Sequence, residues 1–408
     1  MASPPDSSVP RRGAFGVDAH IWRIASVTIL GSIMSVLDAT IVNVALESLG
    51  RDLHSSLSAI QWVVTGYLLA LAAVIPIAGW TSRRFGGRRV YLASIVTFTA
   101  GSVLCGFAWS TTSLIAFRVL QGVGGGLLMP VGQMMVARAA GPERMGRVMS
   151  VLAVPIVLAP VLGPALGGAL IEAASWRWIF FINVPVGIAA FALGLRQLPR
   201  TATEPAGPID LRGLAMLALG LPGIVYGLAE IGQGRGADPV HVLVPLLGGA
   251  LLVVAFALHA LRASRPILDV RLFGNAAFAS AAATTFVLGG SLFGAMILMP
   301  LFFQTVHGES AAMTGLLVAP QGLGAALAMP ISGKLTDRIG GGIVAFAGVL
   351  LIGLATIPFI VIDETTSYAV TSLALALRGV GMGIAIMPAM SAAYAVLRRD
   401  QIEGDFSG

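Results

Sequence analysis

Residues 37–46 read LDATIVNVAL, so an aspartate, a threonine and an asparagine interrupt a run otherwise composed for lipid. A carboxylate at that depth is costly unless it is paired, hydrated or protonated. Burial favours the neutral form of Asp38, and a neighbouring cation favours the ionised form. An acid balanced between those pressures can bind and release a proton. Gly31, Ser35, Asp38 and Val42 fall on one helical face, a small and polar stripe suited to a cavity. Thr40 and Asn43 share a different face, where a helix–helix hydrogen bond is the simpler role, although Asn43 also counts as a cavity candidate.

Arg118 is the expected partner of Asp38. Arginine stays protonated in proteins and cannot itself carry the coupled proton. It can hold an acid ionised until substrate or a conformational change separates the two. Gln121 lies one turn away on the same face. Direct contact requires both side chains to point to the same side of a bundle; a purely architectural bridge to the first helix is the competing role for Arg118.

The elements that position these residues follow from composition. Of 408 residues, 56% are hydrophobic and only 11% charged, where a soluble domain carries about a quarter charged residues. The chain reads as an all-α polytopic membrane protein, because lipid offers backbone groups no partner outside a helix. Runs of about 20 apolar residues give twelve candidate spans, near 22–46, 58–80, 90–109, 112–135, 148–171, 178–197, 211–230, 240–261, 276–303, 311–332, 342–362 and 367–395. With the N-terminus in the cytoplasm, twenty basic residues fall on the cytoplasmic side and three on the other, a strong positive-inside bias. The formal charge of +6 therefore speaks for membrane orientation and not for nucleic acid. One cysteine, Cys105, excludes a disulfide framework or Cys-based metal site. No HExxH, GxSxG or acidic metal cluster is present and the five histidines are scattered, so a membrane enzyme is disfavoured and no cofactor or metal is expected.

Internal repetition sets the organisation. GWTSRRFGGRR (79–89) after the second span resembles GKLTDRIGGG (333–342) after the tenth, and GVGGGLLMP (122–130) resembles GVGMGIAIMP (379–388). Spans 9–12 thus repeat spans 1–4. The expected organisation is a disordered tail (1–20), a six-helix bundle (21–198), linkers with two inserted helices (199–273), and a partial second bundle of four helices (274–408), the last two helices apparently missing. Transporters are often built from duplicated units of this kind.

These motifs resemble the major facilitator superfamily, and within it the fourteen-helix drug:proton antiporters of the EmrB/QacA type. The resemblance rests on LDATIVNVAL, GWTSRRFGGRR, RVLQGVGGG (118–126), APVLGPALGG (159–168), SWRWIFFINVPVG (175–187) and MPLFFQTVHG (299–308). It implies two pseudo-symmetric bundles with two extra helices between them, alternating access, and export of amphipathic drugs in exchange for protons across a bacterial cytoplasmic membrane. The proton gradient is then the energy source, and a periplasmic adaptor and outer-membrane channel are possible partners. A metabolite, siderophore or lipid-like product is the alternative cargo. The chain departs from the family where Arg83 and Glu47 replace the usual aspartate and proline.

On this reading Asp38 and Arg118 couple the proton. Ser35, Asn43, Gln61, Tyr67, Gln121, Met129, Gln304 and Gln321 are candidates for the substrate cavity, since amides need polar partners away from lipid and methionine suits varied ligands. Gly79, Arg83, Arg84, Gly86 and Arg88, with Gly333, Asp337, Arg338 and Gly340, form two basic turns expected to latch a cytoplasmic gate. Pro160, Gly163, Pro164, Gly167 and Gly168 form the antiporter motif of the fifth span. Its Gly163–Gly167 spacing permits close backbone approach to another helix, and the resemblance adds a seal against proton leak.

Overall fold

The computed structural model describes residues 18–140, 162–163, 166–200, 203, 207–232, 239–264 and 266–404. Its helices are α1 (Ala19–Asp52), α2 (Leu57–Val74), α3 (Ala78–Phe85), α4 (Gly87–Gly106), α5 (Thr111–Ala140), α6 (166–173), α7 (Trp178–Phe181) and α8 (Asn183–Gln197), then α9 (Leu211–Gly232), α10 (Pro239–Arg262), α11 (Ala276–Thr305), α12 (Ala311–Ile339), α13 (Gly341–Thr356) and α14 (Tyr368–Gly404). No strand occurs among the described residues. Eleven of the helical stretches there are long and apolar enough to cross a membrane. The fifth expected span lies mostly outside the described residues.

The two halves repeat each other in backbone contact as well as in sequence. A Cβ on Gly122 or Gly126 of α5 would run into the carbonyl oxygens of Tyr67 and Leu71 of α2. In the second half, Gly379 and Gly383 of α14 meet the carbonyl oxygens of Gln321 and Ala325 of α12 in the same way. Gly124 rests on Ser94 and Phe98 of α4, and Gly381 rests on Gly348 and Ile352 of α13. The shared glycine run is therefore a helix-packing surface, where small residues let backbones approach. α9 and α10 pack on each other, and α9 lies along α2, with Trp62 and Tyr226 rings 5.3 Å apart.

Buried cores show how the halves meet. Ala325, Met329 and the partly buried Ile386 belong to one cluster with Ile24, Tyr91 and Met135 of the first half. At the other end of the helices the cores are separate: Ile41, Leu49 and Trp176 in one half, Met299, Phe303 and Leu317 in the other.

In the two basic motifs the turn is tight: Gly79, Arg83 and Arg84 lie within α3, and Gly333 and Arg338 lie within α12. Each reversal is made by a single glycine, Gly86 at φ 84° and Gly340 at φ 87°. That left-handed backbone is open to glycine and strained for other residues, which is why one residue suffices. Arg83, Arg84 and Arg338 are exposed, and Arg88 donates from Nη2 to the Leu195 carbonyl at 2.5 Å. The side chain of Asp337 lies outside the described residues.

In the antiporter motif, Pro160 and Pro164 lie outside the described residues. Gly163 and Gly167 are buried against Thr40 and Ile41 of α1, so the helix their spacing serves is the one that carries Asp38. Gly168 is half-buried.

Candidate functional site

Asp38 sits at the junction of α1, α5 and α8, with no solvent exposure. Its Oδ2 accepts from Arg118 Nη1 at 2.5 Å. Its Oδ1 accepts from Gln121 Nε2 at 2.8 Å and from Asn183 Nδ2 at 3.0 Å. The contact expected between Asp38 and Arg118 is present, and the side chains share one interior.

Arg118 is equally buried and is held from several sides. It donates from Nε to the Val63 carbonyl at 3.1 Å and from Nη1 to Gln121 Oε1 at 2.8 Å. Its guanidinium carbon lies 4.1 Å from the Tyr67 ring centroid, a separation at which cation and ring face attract. Nη2 is buried without a hydrogen-bond partner. A second layer closes the cluster: Ser102 Oγ accepts from Gln121 and Asn183 and donates to the Phe180 carbonyl, while Cys105 Sγ lies 3.6 Å from Gln121 Oε1.

Charge placed so deep is stable only when paired and hydrogen-bonded, and this cluster supplies both. Among the groups around Arg118 only the Asp38 carboxylate can become neutral by gaining a proton, and doing so would remove half of the ion pair.

The polar stripe on α1 is filled in this structure. Ser35, Asp38 and Val42 are buried, and Gly31 faces the Tyr91 hydroxyl and Leu128. Two of the cavity candidates, Ser35 and Tyr67, bond each other at 3.2 Å between hydroxyls, and Gln121 belongs to the charge cluster. All three are core residues: Gln121 bonds both Asp38 and Arg118, and the Tyr67 ring lies against the Arg118 guanidinium while its hydroxyl pairs with Ser35. Asn43 is exposed and donates to the Ala39 carbonyl of its own helix, so it bridges no helices. Thr40 Oγ1 donates to Leu37 of the same helix at 2.9 Å. Gln304 is exposed near the end of α11, while Gln61 and Met129 are half-buried. Gln321 is buried on α12, with Nε2 on Met382 Sδ at 3.7 Å and Oε1 without a partner.

Sequence reasoning passed over Asn183 and Ser102. Each is a small polar residue inside an apolar run, the same signal that exposed Asp38, and Asn183 stands within the quoted FFINVPVG stretch. No group of three or more His, Cys, Asp or Glu suited to a metal occurs among the described residues.

Repeated bundles of membrane-length helices, one half built around a buried acid–arginine pair, define a membrane transporter. The model of the Major Facilitator Superfamily matches residues 28–402, and the chain belongs to that family. It is a transporter and not an enzyme. It is 43% identical over 390 residues to the Multidrug resistance protein B homolog of Mycobacterium tuberculosis, covering 95% of this chain and 72% of that protein. To the Multidrug transporter protein MdtP of Bacillus subtilis it is 32% identical over 367 residues, covering 90% of this chain and 67% of that one. In fold alone it resembles a double-tryptophan mutant of XylE, with a TM-score of 0.63 at 16% identity over 93% of this chain and 86% of the other.

Proposed function

We propose that this protein exports amphipathic drugs or other toxic compounds across a bacterial cytoplasmic membrane in exchange for protons, in the manner of the fourteen-helix drug:proton antiporters. The N-terminus is placed in the cytoplasm, an orientation supported by the positive-inside distribution of its arginines. Asp38 takes up and releases the proton, and Arg118 controls when it can do so.

The observation that carries this reading is the Asp38 carboxylate, wholly buried and held by Arg118, Gln121 and Asn183. Proton arrival neutralises the acid and weakens its hold on Arg118. Relaxation of that junction frees α1 and α5 to shift against each other. Halves that share a core at the end carrying Gly86 and have separate cores at the other suit one of the two states of alternating access. The names of the multidrug relatives support the cargo class.

The test uses proteoliposomes with an imposed pH gradient and ethidium as the transported dye. Uphill movement that collapses with a protonophore, and is lost in Asp38→Asn, is the expected result. Undiminished uphill transport by Asp38→Asn at every pH would overturn the assignment.

A further inference from the structure

The second half holds a cation where the first half holds an amide. Gln121 immediately precedes the packing glycine Gly122, and Arg378 immediately precedes its counterpart Gly379. Gln121 reaches across to Asp38 on α1; Arg378 reaches across to α11, donating from Nη2 to Ser291 Oγ at 2.7 Å and to the Ser291 carbonyl at 2.9 Å. Arg378 is only 6% exposed, and its Nε is buried without a partner. Among the described residues no acid pairs with it. The first half neutralises its arginine with an aspartate, and the second offers a serine.

The surroundings are built for something greasy. Arg378, Met382 and Ala385 follow one another along a face of α14, and the latter two share a buried apolar cluster with Leu288, Leu292 and Ile352. Beside Ser291 on α11, Cβ atoms added to Gly290 and Gly294 would meet nothing within 4 Å, so the flank of the site is open. A permanently charged guanidinium beside apolar walls, at membrane depth, calls for a counter-charge that arrives from outside.

We propose that Arg378 is a binding point for the negatively charged group, of carboxylate class, of an amphipathic cargo, whose apolar part rests on the α11–α14 cluster. This rests on the transport reading above and adds to its cargo amphipathic compounds that carry an acidic group. An inorganic anion such as chloride shares the recognising chemistry and is separated by the test.

Binding of 1-naphthaleneacetate, of its neutral analogue 1-naphthaleneacetamide, and of chloride alone is measured calorimetrically on the full chain in nanodiscs. The acid binds the wild type about tenfold or more tightly than the amide, as one charge-assisted hydrogen bond provides. Arg378→Gln abolishes that preference and Arg378→Lys keeps part of it. Equal affinities for acid and amide in the wild type, or a preference that survives Arg378→Gln, overturn the proposal. Chloride binding without any preference for the acid assigns the site to an inorganic anion and also overturns it. If Arg378→Gln does not fold, the acid-to-amide ratio in the wild type and in Arg378→Lys still decides. Asp38→Asn keeps the preference for the acid while losing gradient-driven transport, so failure of proton coupling and failure of anion binding give different patterns.

Discussion

Asn183 donates to Asp38 Oδ1 at 3.0 Å although 145 residues separate them in the chain. The bond brings the start of α8 onto the acid of α1, and Ser102 of α4 braces Asn183 from behind, also at 3.0 Å. Four helices therefore converge on one carboxylate once α5, with Arg118 and Gln121, is included. Replacing Asn183 with leucine removes one donor from a buried charged acceptor and leaves Ser102 short of a partner. The expected loss is about 1–3 kcal/mol, read as a lower thermal midpoint in detergent. An unchanged midpoint would mean that α8 does not hold Asp38.

Breaking the ion pair itself is more damaging. Arg118→Leu leaves a buried carboxylate without its counter-ion, and a change of this kind costs about 3–5 kcal/mol. The double variant Asp38→Asn with Arg118→Leu buries no charge and recovers part of that loss. A double-mutant cycle measured by thermal unfolding should therefore show strong coupling between these two positions and none between either one and Arg378. Additive losses at Asp38 and Arg118 would contradict the pairing.

Much of this cluster could be read in the sequence because charge in an apolar run has so few explanations. Asp38 and Arg118 stand out, and pairing is the least costly way to bury both. Asn183 and Ser102 stand out less, since an uncharged side chain can satisfy itself on its own helix, as Asn43 does on Ala39. The cavity residues were the least legible. Periodicity places Ser35 and Asp38 on one face of α1, but only the fold shows that Tyr67 and Tyr91 already fill that face. The repeat was legible as motif, and its meaning as backbone contact was not. The similarity of GVGGG and GVGMG does not say that these glycines rest on the carbonyls of Tyr67 and Gln321.

The glycine contacts make a paired prediction. A Cβ at Gly381 would stand 2.8 Å from the Gly348 carbonyl oxygen and 2.9 Å from the Ile352 nitrogen, both backbone atoms that cannot swing aside. Gly381→Ala should lower the yield and thermal midpoint of the folded protein. At Gly289 of α11 an added Cβ meets nothing within 4 Å. There alanine should be neutral or stabilising by about 0.5–1 kcal/mol through helix propensity. Similar midpoints for the two variants would remove the close approach of α13 and α14.

A pH-dependent clasp joins the start of α9 to the last turn of α10, with its acid, Asp210, just outside the spanning stretch. Asp210, just before α9, accepts from His259 Nε2 at 2.9 Å and from the Gly213 amide at 2.9 Å. Burial pushes the carboxyl up, but these bonds outweigh it and hold Asp210 below its ordinary value of 3.8. A depressed native value means that the clasp stabilises fully above pH 3.8 and fades as pH falls through the native value. Proteolysis between α10 and α11 should therefore quicken on acidification below that point in the wild type. In Asp210→Asn the rate should be raised already at neutral pH and respond less to acid. Identical profiles would rule the clasp out.

Cys105, the only cysteine in the chain, is a ready reporter of whether the cluster opens. It has no solvent exposure, and its sulfur lies 3.6 Å from Gln121 Oε1, one residue removed from the ion pair. Only a thiolate attacks maleimide, so labelling requires water to reach this interior. In the resting protein N-ethylmaleimide should react slowly, and unfolding in detergent should make the thiol fully reactive. Asp38→Asn loosens the grip on Arg118 and should speed labelling of the folded protein, whereas Gly289→Ala, on α11 with nothing within 4 Å of its added Cβ, should leave the rate unchanged. If protonation of Asp38 is what relaxes the junction, acid should act on the wild type as Asp38→Asn does. At equal thiolate fraction the wild-type rate then rises on acidification, and the variant's does not. A rate in the variant that follows pH as the wild type does would move the proton to another residue.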